Sequence, residues 1–371
     1  MARLTAQLQV ALVAPSLRIL GGQAVQADRL LREWTNDPDV HAWLVPHNPR
    51  PPVGLRWATR VKYLRTLVTE ATYLPLLFLE LRRADVVHIF SASYSSFLLA
   101  PLPAILVARA LGKPVVLNYR SGEAPDHLRR SAIARWALRR VDRNAVPSRF
   151  LRDVFATFDI DSTIVANVIA LERFPFRPRM PLRPRLLSTR NLDPLYNVAC
   201  TLRAFAQVQR VHPEASLTLV GDGSERERLE TLARALALRN VTFAGRIDPS
   251  RIAAFYDEHD IYVQTPNLDN MPASVLEAFA SGLPVVSTEA GGVPAILRHG
   301  EHGLLAPVGD DDAVARHLLH LLADPDHARA LALAAYQTLQ AYTWPHVRSR
   351  WVALYRSVLA RGANQPAAVE T

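Results

Sequence analysis

Apolar positions along the chain fall into two kinds of run. Short, continuous, β-branched runs predict strands over Gln9–Ala14, Val40–Val45, Asp85–Phe90, Pro114–Asn118, Asn144–Pro147 and Thr163–Ala166. A second set predicts strands over Arg185–Ser188, Ser216–Val220, Val241–Ala244, Ile261–Gln264, Pro284–Ser287 and Gly303–Ala306. Between them lie longer segments of helical period, including Ala24–Asn36, Trp57–Arg82, Asp126–Arg140, Val198–Val211, Glu225–Leu238 and Pro272–Ala280. Strands without polar alternation, separated by helices, are the signature of parallel sheets covered on both faces. The alternation runs twice. A Pro/Arg-rich stretch, Phe174–Arg185, divides the two runs and has no helical period, which predicts an interdomain linker. The pattern therefore predicts an α/β protein of two doubly wound domains. Ligands of such sheets bind at the carboxyl ends of the strands, so two such domains predict a site in the cleft between them.

Composition narrows the chemistry. The chain has 371 residues, of which 49% are hydrophobic and 21% charged, a globular balance that excludes a disordered chain. Its single cysteine, Cys200, excludes a disulfide framework and any multi-cysteine metal site, and suits a reducing compartment. No run approaches the roughly 18 apolar residues that cross a bilayer, and the opening apolar run reads as a first strand rather than a signal peptide. Charge is uneven: residues 1–170 hold 22 Lys and Arg against 13 Asp and Glu, while residues 171–371 hold 21 of each. A basic first half suits an anionic partner, whether nucleic acid, a membrane surface or a phosphorylated substrate. Neither of the two lysines, Lys62 and Lys113, lies in a phosphate-binding GxxxxGK[ST] loop, which excludes that class of nucleotidase.

The most informative segment is Leu268–Val286, LDNMPASVLEAFASGLPVV. Pro272 suits a first helical turn, with Asn270 or Met271 near the cap. Asp269 before the helix and Glu277 inside it are spaced to lie near one edge, where two carboxylates could hold two hydroxyl-bearing parts of one ligand. The plain alternative is an acidic helix cap and an unrelated helix glutamate; spacing alone does not separate the two.

This segment resembles the E-x7-E region of retaining glycosyltransferases of family 4. The resemblance extends to Gly291-Gly292-Val293-Pro294 and Gly303-Leu304-Leu305 downstream, and to Leu219-Val220-Gly221-Asp222-Gly223 and Val241–Arg246 upstream. It also takes in Gly21-Gly22 between the first strand and helix, Val146-Pro147-Ser148, Asn167, and Arg190 at the end of the first strand of the second half. These elements occur in order over about residues 8 to 360. The resemblance implies the GT-B fold, with two Rossmann-like domains facing across a cleft. Residues 1–172 would bind acceptor, 173–184 would link, and 185–342 would bind the nucleotide sugar. A helix over 343–361 would cross back to the first domain, ahead of a tail over 362–371. It further implies donor contacts at Gly21, Gly22, Arg190, Gly221, Arg246, Asp269, Asn270, Met271, Pro272 and Glu277. Among these, Glu277 would take the ribose hydroxyls, Asp269 the sugar hydroxyls and Arg190 the diphosphate. Asp269, Arg120 and Arg190 would carry catalysis, with His88 and Glu123 on the acceptor side. No metal or other cofactor is implied; the partners are a nucleotide sugar and a glycan or lipid-linked acceptor.

The chain departs from the family pattern in ways that bear on the donor. The first acid is Asp269 rather than Glu. The glycines that usually follow it are Asn270, Met271 and Pro272, which removes one amide and adds bulk. The family's diphosphate lysine falls near Leu195 or Tyr196, and its charge is missing; Arg246 or an arginine of the first domain could supply it. Arg120 stands near a position where the family usually has His. Elsewhere, Asp310-Asp311-Asp312 reads as a helix start that favours acids, and His317 and His320 read as surface residues lacking a third metal ligand. His88 either touches acceptor or satisfies a buried group.

The segment His127–Arg143 carries six arginines. A continuous helix there places Ala134, Ala137, Leu138 and Val141 on one face and Arg129, Arg139, Arg140 and Arg143 on the other, with Ile133 and Trp136 among them. That face suits an anionic bilayer or is simply a solvated basic face; no nucleic-acid motif accompanies it. The sequence thus predicts a cytoplasmic glycosyltransferase, peripheral at the inner face of the membrane. Two rival readings are a nucleotide-sugar 2-epimerase and a donor-binding protein without catalysis.

Overall fold

The computed structural model describes residues 7–18, 21–50, 52–54, 57 and 61–363. The tail beyond 363 and residues 58–60, at the start of one expected helix, lie outside these. The chain divides into two compact units, the first built from residues 1–168 and 344–371, the second from 169–343.

The first unit holds β1 (Leu8–Ala14), α1 (Gly22–Glu33), β2 (Val40–Pro46), α2 (Lys62–Leu81), β3 (Val86–Ser91), α3 (Tyr94–Leu99), α4 (Pro101–Ala110) and β4 (Val115–Tyr119). These are followed by α5 (Ala124–Arg130), α6 (Ala132–Leu138), β5 (Arg143–Val146), α7 (Arg149–Ala156) and β6 (Thr163–Ile164). Its sheet is wholly parallel in the order β2-β1-β3-β4-β5-β6. The period of two sorts the strand side chains between two cores. Ala11, Val13, Val87, Ile89, Val115 and Leu117 pack under α2 through α7. Val10, Leu12, Val86, Phe90 and Val116 pack under α1 and under α14 (Trp344–Ala363), which returns to this unit. Arg348 fastens α14, reaching Asp37 at 2.6 Å and Asp39 at 2.6 Å.

The second unit holds β7 (Arg185–Ser188), α8 (Val198–Val211), β8 (Ser216–Val220), α9 (Arg226–Ala235), β9 (Val241–Gly245), α10 (Ile252–Glu258), β10 (Ile261–Gln264), α11 (Ala273–Ser281), β11 (Val285–Thr288), β12 (Leu304–Ala306), α12 (Asp311–Ala323) and α13 (Pro325–Gln337). Its sheet is also parallel, ordered β12-β11-β10-β7-β8-β9. Helices α8, α9, α12 and α13 cover one face through Leu202, Phe205, Leu229, Val314, Leu318 and Leu331. The acidic run caps α12: Asp310 accepts from the Ala313 amide at 2.8 Å.

Three local readings change. The arginine-rich segment is not one helix. Ser131 adopts an extended conformation, ends α5, and caps α6 by accepting from the Ala134 amide at 3.1 Å; a serine competes well for such a place. Arg143 therefore lies on β5 rather than on the helical face, whereas Ile133 and Trp136 are exposed on α6. Secondly, α3 and α4 occupy a stretch to which the sequence pattern assigns no element; Pro101 is the first residue of α4, where its missing N–H costs nothing. Thirdly, the stretch 173–184 is built into the second unit. Arg179 is buried and donates to the carbonyls of Tyr256 at 2.6 Å and His259 at 3.2 Å, and also to those of Ser281 and Arg177. Arg183 and Arg185 each reach the buried carboxylate of Asp260 at 3.0 Å. Gly282 ends α11 at φ +75, and a Cβ there would sit 2.8 Å from the Arg177 carbonyl, so strap and helix end fit only through glycine.

Candidate active site

In each sheet the strand order reverses once, and the reversal opens a crevice at the carboxyl ends of the strands. In the second unit the reversal lies between β7 and β10, because β8 and β9 continue to one side and β11 and β12 to the other. The loops leaving β7 and β10 carry Arg190 and Asp269, and they meet. Arg190 Nη2 donates to Asp269 Oδ2 at 2.5 Å, and Nη1 donates to Ser274 Oγ at 3.1 Å. The guanidinium lies over the Tyr196 ring, 4.2 Å from its centroid. Burial alone would loosen its proton; the Asp269 carboxylate, followed by the neighbouring tyrosines, more than reverses this and holds the charge firmly. Arg190 Nε is buried without a hydrogen-bond partner. A donor with no acceptor in a site otherwise furnished with acceptors is a place for a ligand oxygen.

Asp269 is held from behind: its Oδ1 accepts from the Asn270 amide at 2.8 Å, and its carbonyl accepts from the Gly292 amide at 2.9 Å. Pro272 proves to be the cap itself, with α11 beginning at Ala273. Asn270, Met271 and Pro272 are buried. Glu277, one turn into α11, accepts from the Tyr256 hydroxyl at 3.2 Å. That phenol also bonds the Thr189 hydroxyl at 2.7 Å and the Ser274 carbonyl at 3.2 Å. Ser274, which holds Arg190, in turn donates to Gln264 at 3.3 Å. Asp269, Arg190 and Glu277 thus stand on one polar network whose buried members, Tyr256, Ser274 and Gln264, carry no sequence motif. Only an excess of polar residues at the ends of strands hints at them.

The glycines of the resembling motifs, of which Gly21, Gly22 and Gly221 read as donor contacts, divide by environment. A Cβ on Gly221, at φ +140, would lie 2.3 Å from the Arg190 carbonyl, and one on Gly292 would lie 2.0 Å from the Asn270 carbonyl. Both are required by backbone against backbone. Gly21 and Gly22, at the start of α1, have nothing within 4 Å of the same position. They lie after β1, beside the reversal of the first sheet between β1 and β3, where Gln23 donates to the Ser91 carbonyl at 3.3 Å. Arg246, beyond β9, is exposed.

In the first unit, Arg120 leaves β4, donates to Asn167 and lies over Phe90, 5.1 Å from the ring centroid. Burial pushes its guanidinium down to about 10, still protonated at neutral pH. Glu123 caps α5 in the same loop and is partly exposed. His88 offers no atom to a ligand. It is fully buried, its Nδ1 bonds the Tyr355 hydroxyl at 2.8 Å, its Nε2 bonds the Asn118 amide at 3.2 Å, and its ring lies 4.4 Å from that of Trp351. Burial, and next Arg120, push it down to about 3, so it stays neutral. His317 bonds the Leu305 carbonyl at 3.1 Å and His320 bonds His327 at 2.9 Å. Among the described residues no group of three or more His, Cys, Asp or Glu is placed to hold a metal, and no helix is long and apolar enough to cross a membrane.

Comparison with known proteins follows this division. Residues 20–173 match the family described as Glycosyltransferase Family 4, and residues 177–338 match Glycosyl transferases group 1. Glycogen synthase of Mycobacterium tuberculosis is 27% identical over 364 residues, spanning 93% of this chain and 82% of that protein. A phosphatidyl-myo-inositol mannosyltransferase of Mycobacterium leprae is 25% identical, spanning 76% and 75%. Among solved structures, Anabaena HepE in complex with UDP and glucose has a TM-score of 0.74 at 15% identity, covering 95% of this chain and 100% of that one. Sucrose-phosphate synthase from Thermosynechococcus elongatus has a TM-score of 0.72 at 20% identity, covering 96% and 100%. Fold and matches together define a sugar-transferring enzyme of the GT-B class that draws on a nucleotide sugar. The chain belongs to glycosyltransferase family 4. The epimerase and catalysis-free readings are not favoured, since the curated relatives are transferases.

Proposed function

We propose that this enzyme transfers a sugar with retention of configuration from a nucleoside diphosphate sugar to a glycan or lipid-linked acceptor, working on the cytoplasmic side at the inner face of a membrane. One observation carries the donor assignment: Arg190, Asp269 and Glu277 share a network at the reversal of the second sheet, with a buried guanidinium nitrogen still unpartnered. A planar guanidinium suits diphosphate oxygens. Arg190 exchanges its bond to Asp269 for the diphosphate, which releases the carboxylate for sugar hydroxyls, and Glu277 takes the ribose hydroxyls. Gly221 and Arg246 border this site, as do Asn270, Met271 and Pro272. Tyr196 stands where a lysine charge is missing and gives Arg190 a ring face to lie on. Gly21 and Gly22 leave open space for diphosphate, Arg120 supplies it a further fixed positive charge in place of the missing lysine, and Glu123 serves the acceptor side.

In the reaction the anomeric carbon–phosphate oxygen bond breaks and the acceptor oxygen bonds the same face of the sugar. The acceptor proton passes to the departing phosphate oxygen. The enzyme supplies position and charge rather than a covalent nucleophile, and the arginines meet the diphosphate charge without a resident metal. Calorimetry with UDP-, GDP- and ADP-sugars, followed by turnover of the labelled donor that binds, tests this reading. Expected are one bound donor and release of its nucleoside diphosphate in excess EDTA. Activity lost in EDTA and restored by Mg²⁺ overturns the metal-free step, and binding of none of the donors overturns the assignment.

A further inference from the structure

The helical layer over one face of the first sheet is apolar on its outer side as well as its inner. On α2, Tyr73, Leu77 and Leu81 are buried against the sheet. Leu67, Leu74 and Phe78, spaced seven and four apart, form a second stripe that flanks the buried one, roughly 80° round the helix from it; they are exposed by 67%, 42% and 48%. Leu79 is half exposed beside them. Neighbouring elements continue the patch. The Tyr73 hydroxyl donates to the Ala100 carbonyl at 3.0 Å, joining α2 to the start of α4, and Leu98, Leu99 and Leu106 stand exposed on α3 and α4. Arg109 donates to the Arg140 carbonyl, joining α4 to the end of α6, where Ile133 and Trp136 are exposed and Arg140 lies over the Trp136 ring at 4.7 Å.

Its charge says what covers it. Residues 61–140 hold 12 Lys and Arg against 5 Asp and Glu. Two acids of this layer are already met by arginines: Glu80 by Arg83 at 3.7 Å, and Asp126 by Arg129 at 2.6 Å and Arg130 at 2.9 Å. Arg65, Arg82, Arg109, Arg139 and Arg140 are exposed. A second copy of the chain would bring this surface against itself about a two-fold axis, setting arginine against arginine. An anionic bilayer meets both features, since its headgroups attract the arginines and its acyl boundary takes the leucines and phenylalanine.

We infer that the outer face of α2, α3, α4 and α6 seats the enzyme on an anionic membrane by partial insertion, so that α6 is only one edge of a larger surface. This rests on the membrane-side reading of the function but is tested apart from it. Full-length protein, without donor or acceptor, is sedimented with phosphatidylcholine vesicles containing or lacking phosphatidylglycerol. Salt-sensitive binding to the anionic vesicles alone is expected, with a blue shift of tryptophan emission. Leu74→Ser with Phe78→Ser should lower partitioning by about tenfold or more, as should Arg109→Ala with Arg139→Ala and Arg140→Ala. The milder Leu74→Ala with Phe78→Ala should lower it less, and calorimetric donor binding shows that each variant is folded. Equal binding to neutral vesicles, or unchanged binding of the folded variants, overturns the inference. So does a wild-type dimer in sedimentation velocity that the leucine and phenylalanine changes dissociate. Lost vesicle binding with intact donor binding concerns this surface, whereas lost donor binding with intact vesicle binding concerns the proposed function.

Discussion

Tyr256→Phe removes one oxygen atom from the donor-site network and little else. The phenol is fully buried and bonds Thr189, the Ser274 carbonyl and Glu277 at 2.7, 3.2 and 3.2 Å. It has one proton to give. If the Thr189 hydroxyl donates to it, that proton goes to the Ser274 carbonyl or the Glu277 carboxylate. The charged acceptor is the stronger, and the nearby carboxylate, after burial itself, raises the phenol well above its ordinary range. A bond to a charged group contributes about 1.5–3 kcal/mol. Part of this appears as stability. A loss of about 1 kcal/mol lowers Tm by about 2–4 °C in a unit of this size. The remainder appears as poorer placement of Glu277, about tenfold in donor affinity for each ~1.4 kcal/mol. Calorimetry should therefore show donor Kd raised about tenfold with kcat nearly unchanged. A donor lacking the ribose hydroxyls separates placement from general damage. If Glu277 holds those hydroxyls, wild type and variant should bind the deoxyribose donor almost equally, the non-additivity expected of coupled groups. A variant that loses Tm but binds both donors like wild type would show that Tyr256 only fills space. A variant that weakens both donors alike would refute the link through Glu277.

Arg190→Ala and Glu277→Ala should each weaken donor binding in calorimetry by about tenfold or more without unfolding the protein, as expected for lost charge-assisted bonds; wild-type affinity in both would remove the site from the second unit. Arg120→Ala should lower turnover and donor affinity in steady-state kinetics, and Arg120→His should not restore them, since a neutral imidazole supplies no fixed charge at pH 7; a more active histidine variant would refute a charge role. Burial raises the Asp37 carboxyl, but its bonds from Arg348 prevail and hold it below the usual carboxylate range. That stability is present above the unfolded value of about 3.9 and is lost as pH falls through the folded one. Arg348→Ala should cost about 2 kcal/mol at pH 7, less than a fully buried pair because Arg348 is 26% exposed, and urea unfolding should show a smaller loss between pH 4 and lower pH than in wild type.

Strand positions were legible because parallel strands buried on both faces leave continuous apolar runs, as in Leu8–Ala14. Gly291-Gly292 and the Asp269 and Glu277 spacing were legible as a motif. What was not legible depended on partners distant in sequence. Ser131 serves a helix only because α6 turns away there, and the start of α4 at Pro101 carries no periodic signal of its own. The Pro/Arg stretch carries no signal of the carbonyls of Tyr256, His259 and Ser281 that Arg179 binds. Likewise nothing local to Tyr256 tells that its hydroxyl meets Thr189, 67 positions away. His88 was ambiguous on sequence because its partner Tyr355 lies 267 positions on.

That long reach bears on how the molecule is made. The second unit is one uninterrupted stretch, residues 169–343, whereas the first needs residues 344–363 to cover a face of its sheet. During synthesis α1 can cover β1 at once, but the earlier-made strands β3 and β4 leave the ribosome with Val86, Phe90 and Val116 facing water on one side. They stay so until every residue of the second unit has been added, so the unit translated second can finish folding first. Val347, Trp351 and Tyr355 then close the first sheet. A ribosome stalled anywhere after residue 168 and before Trp344 would hold a chain with the β3–β4 part of that apolar face bare, a natural client for a chaperone.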